Sequence, residues 1–140
     1  MNPMTEKLKT LRVRDFMATS VMSFTPDMPI ADAVRTLVKY KHSGAPVVDA
    51  EGRVVGMLSE KDCLIATVLA TGQAFVGDYM SRTVESVTPD TSLLEVAEGF
   101  VQAEFKRFPV VADGLLVGQI SRFDVLRHDW TEGKISFLMA

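Results

Sequence analysis

The sequence predicts a mixed α/β fold built twice over, each copy running strand, helix, strand, strand, helix. Three observations carry this. Displaced by 63 positions, residues 13–48 match residues 76–111 at 12 of 36 places, and after one deletion Gly56, Ser59, Asp62 and Leu64 fall on Gly118, Ser121, Asp124 and Leu126. Each copy has one stretch with apolar residues at helical spacing. Each also has two short apolar runs flanking a turn signal, as in a hairpin. Repetition at a fixed offset marks a structure assembled from one duplicated unit.

In chain order, residues 1–12 form an N-terminal arm ahead of the first copy, which covers residues 13–70. A short strand is expected at residues 21–24. Pro26-Asp27 then signals a turn, and Pro29 suits the first turn of a helix, where its missing N–H costs nothing. Ile30, Ala33, Val34, Leu37 and Val38 recur at i, i+3, i+4, i+7 and i+8, the pattern of a helix with one buried face. Residues 45–48 and 54–59 read as strands around Asp49-Ala50-Glu51-Gly52, and a second helix is expected over residues 60–69. Residues 71–75 are a linker, short enough that the two copies should pack together and not tumble independently. The second copy, residues 76–129, repeats the order: a strand at 84–87, a helix bearing Leu93, Val96, Ala97, Phe100 and Val101, strands at 108–111 and 115–121 around Asp113-Gly114, and a helix over 122–129. Residues 130–140 form a C-terminal extension whose Ile135, Phe137, Leu138 and Met139 are expected to pack on a neighbour or on the rest of the chain.

Composition narrows the function. The 140 residues carry 15 Lys and Arg against 18 Asp and Glu, with a sequence pI near 5.3, so no global cationic field gathers nucleic acid or anionic lipid. No apolar run approaches the roughly 18 residues of a membrane span, and residues 1–14 lack the apolar core of a secretory signal. A cytoplasmic protein is expected. The single cysteine, Cys63, forms no internal disulfide, and with two histidines it falls short of a four-ligand zinc site. Cys63 reads as a small core residue, because no histidine lies near it in sequence to activate it. No nucleophile with its base, and no metal set, can be assembled, so an enzyme is not expected.

The chemistry concentrates in Gly56-Met57-Leu58-Ser59-Glu60-Lys61-Asp62 and Gly118-Gln119-Ile120-Ser121-Arg122-Phe123-Asp124, each ending a strand and opening a helix. A helix N-terminus offers free N–H groups and partial positive charge to a phosphate or carboxylate. Ser59 and Ser121 can add a hydroxyl, and Lys61 and Arg122 a charge. Asp62 and Asp124 lie on the first turn, where an acceptor-only carboxylate could hold two vicinal ribose hydroxyls. The same Ser-x-x-Asp spacing is also that of a plain capping box, and the two readings can coexist. Gly44, Ala45 and Pro46 are small positions where backbone could approach a flat base. Their counterparts Arg107, Phe108 and Pro109 are bulkier, and Arg107 either clamps a phosphate or lies on the surface. The two candidate sites are therefore not equivalent, and one could be empty.

The motifs together resemble the paired cystathionine β-synthase-type domain, the CBS pair or Bateman module. The resemblance rests on Asp15-Phe16-Met17 and Asp78-Tyr79-Met80, Thr25-Pro26-Asp27 and Thr88-Pro89-Asp90, Gly44-Ala45-Pro46-Val47-Val48-Asp49, Phe108-Pro109-Val110-Val111 and the closing Gly-x-x-Ser-x-x-Asp of each copy. It implies repeats in pseudo-twofold contact, a flat dimer, and clefts between repeats that hold AMP, ADP, ATP or S-adenosylmethionine. It further implies that Ser59 and Ser121 are phosphate-side contacts and Asp62 and Asp124 ribose contacts. The expected function is a non-catalytic sensor of an adenosine-type ligand with no required cofactor, acting as a homodimer on an unknown regulated protein. The alternative is a ligand-free dimerisation module in which the Ser-x-x-Asp boxes only cap helices.

Overall fold

Helix starts at the first turn of the chain because Asn2 caps it: its Oδ1 accepts the Thr5 N–H at 2.8 Å, with Pro3 in the first helical position. The computed structural model describes residues 2–103 and 106–128. The N-terminal arm thus carries a helix, α1 (Pro3–Thr10), whose Leu8 is buried. A 3₁₀ turn at Val13–Asp15 follows. Then come α2 (Ile30–Tyr40), β1 (Gly44–Val48), β2 (Val54–Ser59), α3 (Glu60–Leu69), α4 (Val76–Tyr79), α5 (Leu93–Gln102), β3 (Arg107–Ala112), β4 (Leu115–Ser121) and α6 (Arg122–Leu126). The C-terminal extension lies outside the described residues, as do Asp129, Glu104 and Phe105. No described helix is long and apolar enough to cross a membrane.

The strands expected at residues 21–24 and 84–87 shrink to one residue of parallel pairing each. Phe24 bridges Val47, donating its N–H to the Pro46 carbonyl at 3.0 Å and accepting from Val48 N–H at 2.8 Å; Val87 does the same beside Val110. The turn at Thr25 and Thr88 begins one residue later, so the ladder has no second rung: Thr25 accepts from Met28 N–H at 3.2 Å and Thr88 from Thr91 N–H at 3.1 Å. The remaining strands form two antiparallel hairpins, β1 with β2 and β3 with β4. In the first, Gly44 faces Ser59, Ala45 faces Leu58 and Pro46 faces Met57, with a bulge between Val47 and Val48. Its turn is closed by Asp49, whose Oδ1 accepts the N–H groups of Glu51 and Arg53, both at 2.9 Å. The second turns on Asp113 (φ +53°) and Gly114 (φ +82°), the pair of left-handed residues a two-residue hairpin requires.

Helix α2 buries Ile30, Ala33 and Leu37, but Val38, expected on the same face, is 71% exposed; α5 buries Leu93, Val96 and Phe100 while Val101 is 86% exposed. The buried stripe of each helix therefore runs at i, i+3 and i+7 and stops short of i+8.

The compact units do not follow chain order. One comprises residues 21–85 and 113–116; the other comprises, of the described residues, 2–20, 86–103, 106–112 and 117–128. The opening motif of each copy has joined the body of the other. In the unit holding the second copy, Val13 and Arg14 donate their N–H groups to the carbonyls of Thr91 and Pro89, both at 2.9 Å, and Val13 and Phe16 enter a core with Leu8, Leu93, Val96, Phe100, Phe108, Val110, Ile120 and Val125. In the other, Val76 and Gly77 donate to Met28 and Pro26 at 2.9 and 2.8 Å, and Val76 joins Phe24, Ile30, Ala33, Leu37, Ala45, Val47, Leu58, Cys63 and Ala66.

The glycine of each Gly-x-x-Ser motif makes this exchange possible. A Cβ on Gly56 would stand 2.7 Å from Met80 Sδ and 2.8 Å from the Ser81 carbonyl; one on Gly118 would stand 2.6 Å from the Ala18 carbonyl and 3.0 Å from Met17 Sδ. Without side chains there, β2 and β4 each take one backbone bridge from the segment after the opening motif, Met57 with Ser81 and Gln119 with Ala18.

Candidate functional site

Both Ser-x-x-Asp boxes form as reciprocal caps. Asp62 Oδ2 accepts the Ser59 N–H at 2.9 Å and the Ser59 hydroxyl at 3.0 Å, while Ser59 Oγ accepts the Asp62 N–H at 3.2 Å. Asp124 Oδ2 accepts the Ser121 N–H at 2.8 Å, and Ser121 Oγ accepts the Asp124 N–H at 3.2 Å. The Ser43 carbonyl takes the first N–H of α3, that of Glu60, at 2.8 Å. At α3, then, the Glu60 and Asp62 N–H groups and the serine hydroxyl are already engaged, which leaves open the Lys61 N–H and the second carboxylate oxygen, Asp62 Oδ1.

The two boxes differ at that oxygen. Asp124 Oδ1 accepts Arg127 Nη2 at 2.8 Å, and the same nitrogen donates to the Phe16 carbonyl at 3.0 Å. Three residues after Asp62 stands Ile65, which has no donor to offer. Arg127 carries no motif and was not among the sequence candidates; its only signal is the i, i+3 spacing from Asp124 on a helix.

The other candidates divide by burial. Lys61 and Arg122 are exposed on the first helical turns. Gly44 lies opposite Ser59, and a Cβ there would meet the Leu58 carbonyl at 2.7 Å, so its lack of a side chain already serves the strand pairing. Ala45 and Pro46 are buried on β1, Phe108 and Pro109 on β3, and Arg107 is half-buried at the start of β3. The Phe108 ring stacks on Phe100, centroids 4.6 Å apart.

Cys63 is buried, which pushes its thiol above the ordinary value, and the neighbouring Asp62 carboxylate adds to the rise. The thiol stays protonated at neutral pH and is a poor nucleophile. His128 is buried with Nδ1 2.9 Å from the Val125 carbonyl, and His42 is half-buried. Among the described residues no cluster of three His, Cys, Asp or Glu side chains is placed to hold a metal ion.

The family model for the CBS domain matches twice, over residues 13–68 and 76–130. The chain belongs to the CBS-domain family. It is 31% identical over 122 residues to protein MJ1225 of Methanocaldococcus jannaschii, a match covering 84% of this chain and 44% of that protein. It is also 31% identical over 121 residues to the A-adding tRNA nucleotidyltransferase of Aquifex aeolicus, covering 86% of this chain and 15% of that enzyme. The chain thus spans less than half of these two curated relatives. Among solved structures, CBSX2 from Arabidopsis thaliana in complex with AMP superposes with a TM-score of 0.76 at 31% identity, over 89% of this chain and 99% of that one. The two CBS repeats and the mixed helix and strand architecture expected from the sequence are thereby established.

Proposed function

We propose that this CBS pair is a regulatory module that binds an adenosine-containing ligand, with Asp62 as the ribose-binding carboxylate, and passes the change in its conformation to a partner protein. The open oxygen Asp62 Oδ1 carries this reading. With Oδ2 occupied by Ser59, Oδ1 keeps its accepting capacity for two vicinal hydroxyls. Exposed Lys61 adds positive charge on the same turn. CBSX2, 31% identical to this chain, has been solved with AMP. Ligand moves such a module only by binding one of its states more tightly than another.

Calorimetric titration of the protein, stripped of bound ligand, with AMP, ADP, ATP and S-adenosylmethionine tests the reading. At least one should bind saturably. Asp62→Asn keeps an oxygen for the cap but loses the charge, and should weaken that binding about 10- to 100-fold, the equivalent of one or two hydrogen bonds to a charged group. Absence of response to all four overturns the reading.

A second reading, dimerisation, is favoured by a separate observation. The duplication keeps apolar residues exposed at matching places: Val38 and Val101 at 71% and 86%, Leu64 and Leu126 at 65% and 50%. Helix α3 adds exposed Val68 and Leu69. A second copy of the chain would cover such helix faces through a self-complementary interface. Sedimentation should find a dimer, and Leu64→Glu together with Leu126→Glu should return it to monomer; a native chain monomeric at all concentrations overturns this reading.

A further inference from the structure

We propose that each chain holds a single adenosine-type ligand, at Asp62, because Arg127 has committed Asp124 to a structural tether. The inference rests on the ribose reading of Asp62 given above and concerns how the two copies divide the work. The duplicated carboxylates begin from the same cap, yet their free oxygens meet different neighbours. Asp62 Oδ1 has no donor among the described residues. Asp124 Oδ1 is held at 2.8 Å by the Arg127 guanidinium, which also reaches the Phe16 carbonyl at 3.0 Å.

A diol needs both lone-pair positions of one oxygen, or both oxygens, and Asp124 has given Oδ2 to Ser121 and part of Oδ1 to Arg127. The Asp124 side chain is 17% exposed and that of Arg127 53%, so the carboxylate is largely withdrawn from water while the guanidinium stays at the surface. A charge-assisted bond to a partly buried carboxylate is stronger than one from a neutral hydroxyl, so a diol competes poorly for the oxygen that Arg127 holds. Arg127 also joins α6 to the opening motif of the first copy through Phe16, within the same compact unit. At the matching place in the other unit stands Ile65, which cannot tie α3 to Tyr79 in this way. One copy has thus turned its carboxylate into an internal fastener while the other has left it open.

The test is stoichiometry on the full stripped chain, titrating AMP, ADP, ATP and S-adenosylmethionine in turn. The expected result is one ligand per chain, with affinity lowered 10-fold or more by Asp62→Asn and changed less than twofold by Asp124→Asn or Arg127→Gln. The last two variants should lower the urea midpoint, and the double variant should lower it by less than the sum of the two, since they break the same link. Binding of two ligands, or loss of binding in Asp124→Asn with retention in Asp62→Asn, overturns the inference and leaves the nucleotide reading standing. No binding of any of the four overturns both. Should Asp124→Asn fail to fold, Arg127→Gln alone decides: abolished binding there overturns the assignment.

Discussion

Gly118→Ala is expected to lower the stability of the protein by about 2–4 kcal/mol, the overpacking cost of about 1–3 kcal/mol joined by about 1 kcal/mol for a weakened backbone pair. The added Cβ would lie 2.6 Å from the Ala18 carbonyl oxygen, a backbone atom that cannot turn aside as a side chain would. That carbonyl accepts the Gln119 N–H at 2.9 Å, and Ala18 N–H returns a bond of the same length to the Gln119 carbonyl. Relieving the clash means parting the strands and losing one or both. The urea midpoint should fall with the slope unchanged. Gly99→Ala provides the control: its Cβ would meet only the Phe108 ring, at 3.4 Å, on a helix where alanine is favoured over glycine by up to about 1 kcal/mol. An unaltered midpoint in Gly118→Ala would mean that the opening motif of the first copy is not held against β4.

The exchange of opening motifs is the part of the fold that the sequence conceals. Duplication was legible because Val13, Asp15, Met17, Thr25, Pro26, Asp27 and Pro46-Val47-Val48 recur in order. Both long helices of the first copy were legible as well, one from its apolar spacing and one from its Ser-x-x-Asp start. Which copy each opening motif would join was not, since a repeat fixes what a segment resembles and is silent on which of two equal docking strands it will choose. Helix α1 carries no periodic signal in the sequence, because a single buried residue, Leu8, anchors it. At the candidate site the caps could be read from spacing alone. The difference between Asp62 and Asp124 could not, because it comes from Arg127 and Ile65, which lie outside the repeated motif.

Phe108 gives the sharpest separation of core from site. The sequence placed it among ligand-side residues on its position before Pro-Val-Val, whereas its ring is 5% exposed and stacked on Phe100. The duplicated positions explain how the ring came to be there. Phe100 and Phe108 correspond to Leu37 and Ala45, so one unit fills with two stacked rings the space that the other fills with a leucine and a methyl group. Phe108→Ala should therefore cost about 3–5 kcal/mol, a large share of the 5–15 kcal/mol that holds a domain of ordinary stability. Phe108→Leu, which keeps most of the apolar volume, should recover the greater part of it. Nucleotide affinity, measured at a temperature where each variant is still folded, should change little, because the ring is buried against Phe100 and offers little surface to a ligand. A Phe108→Ala protein that kept its urea midpoint but lost its response to nucleotide would place the ring at the ligand and take it out of the core.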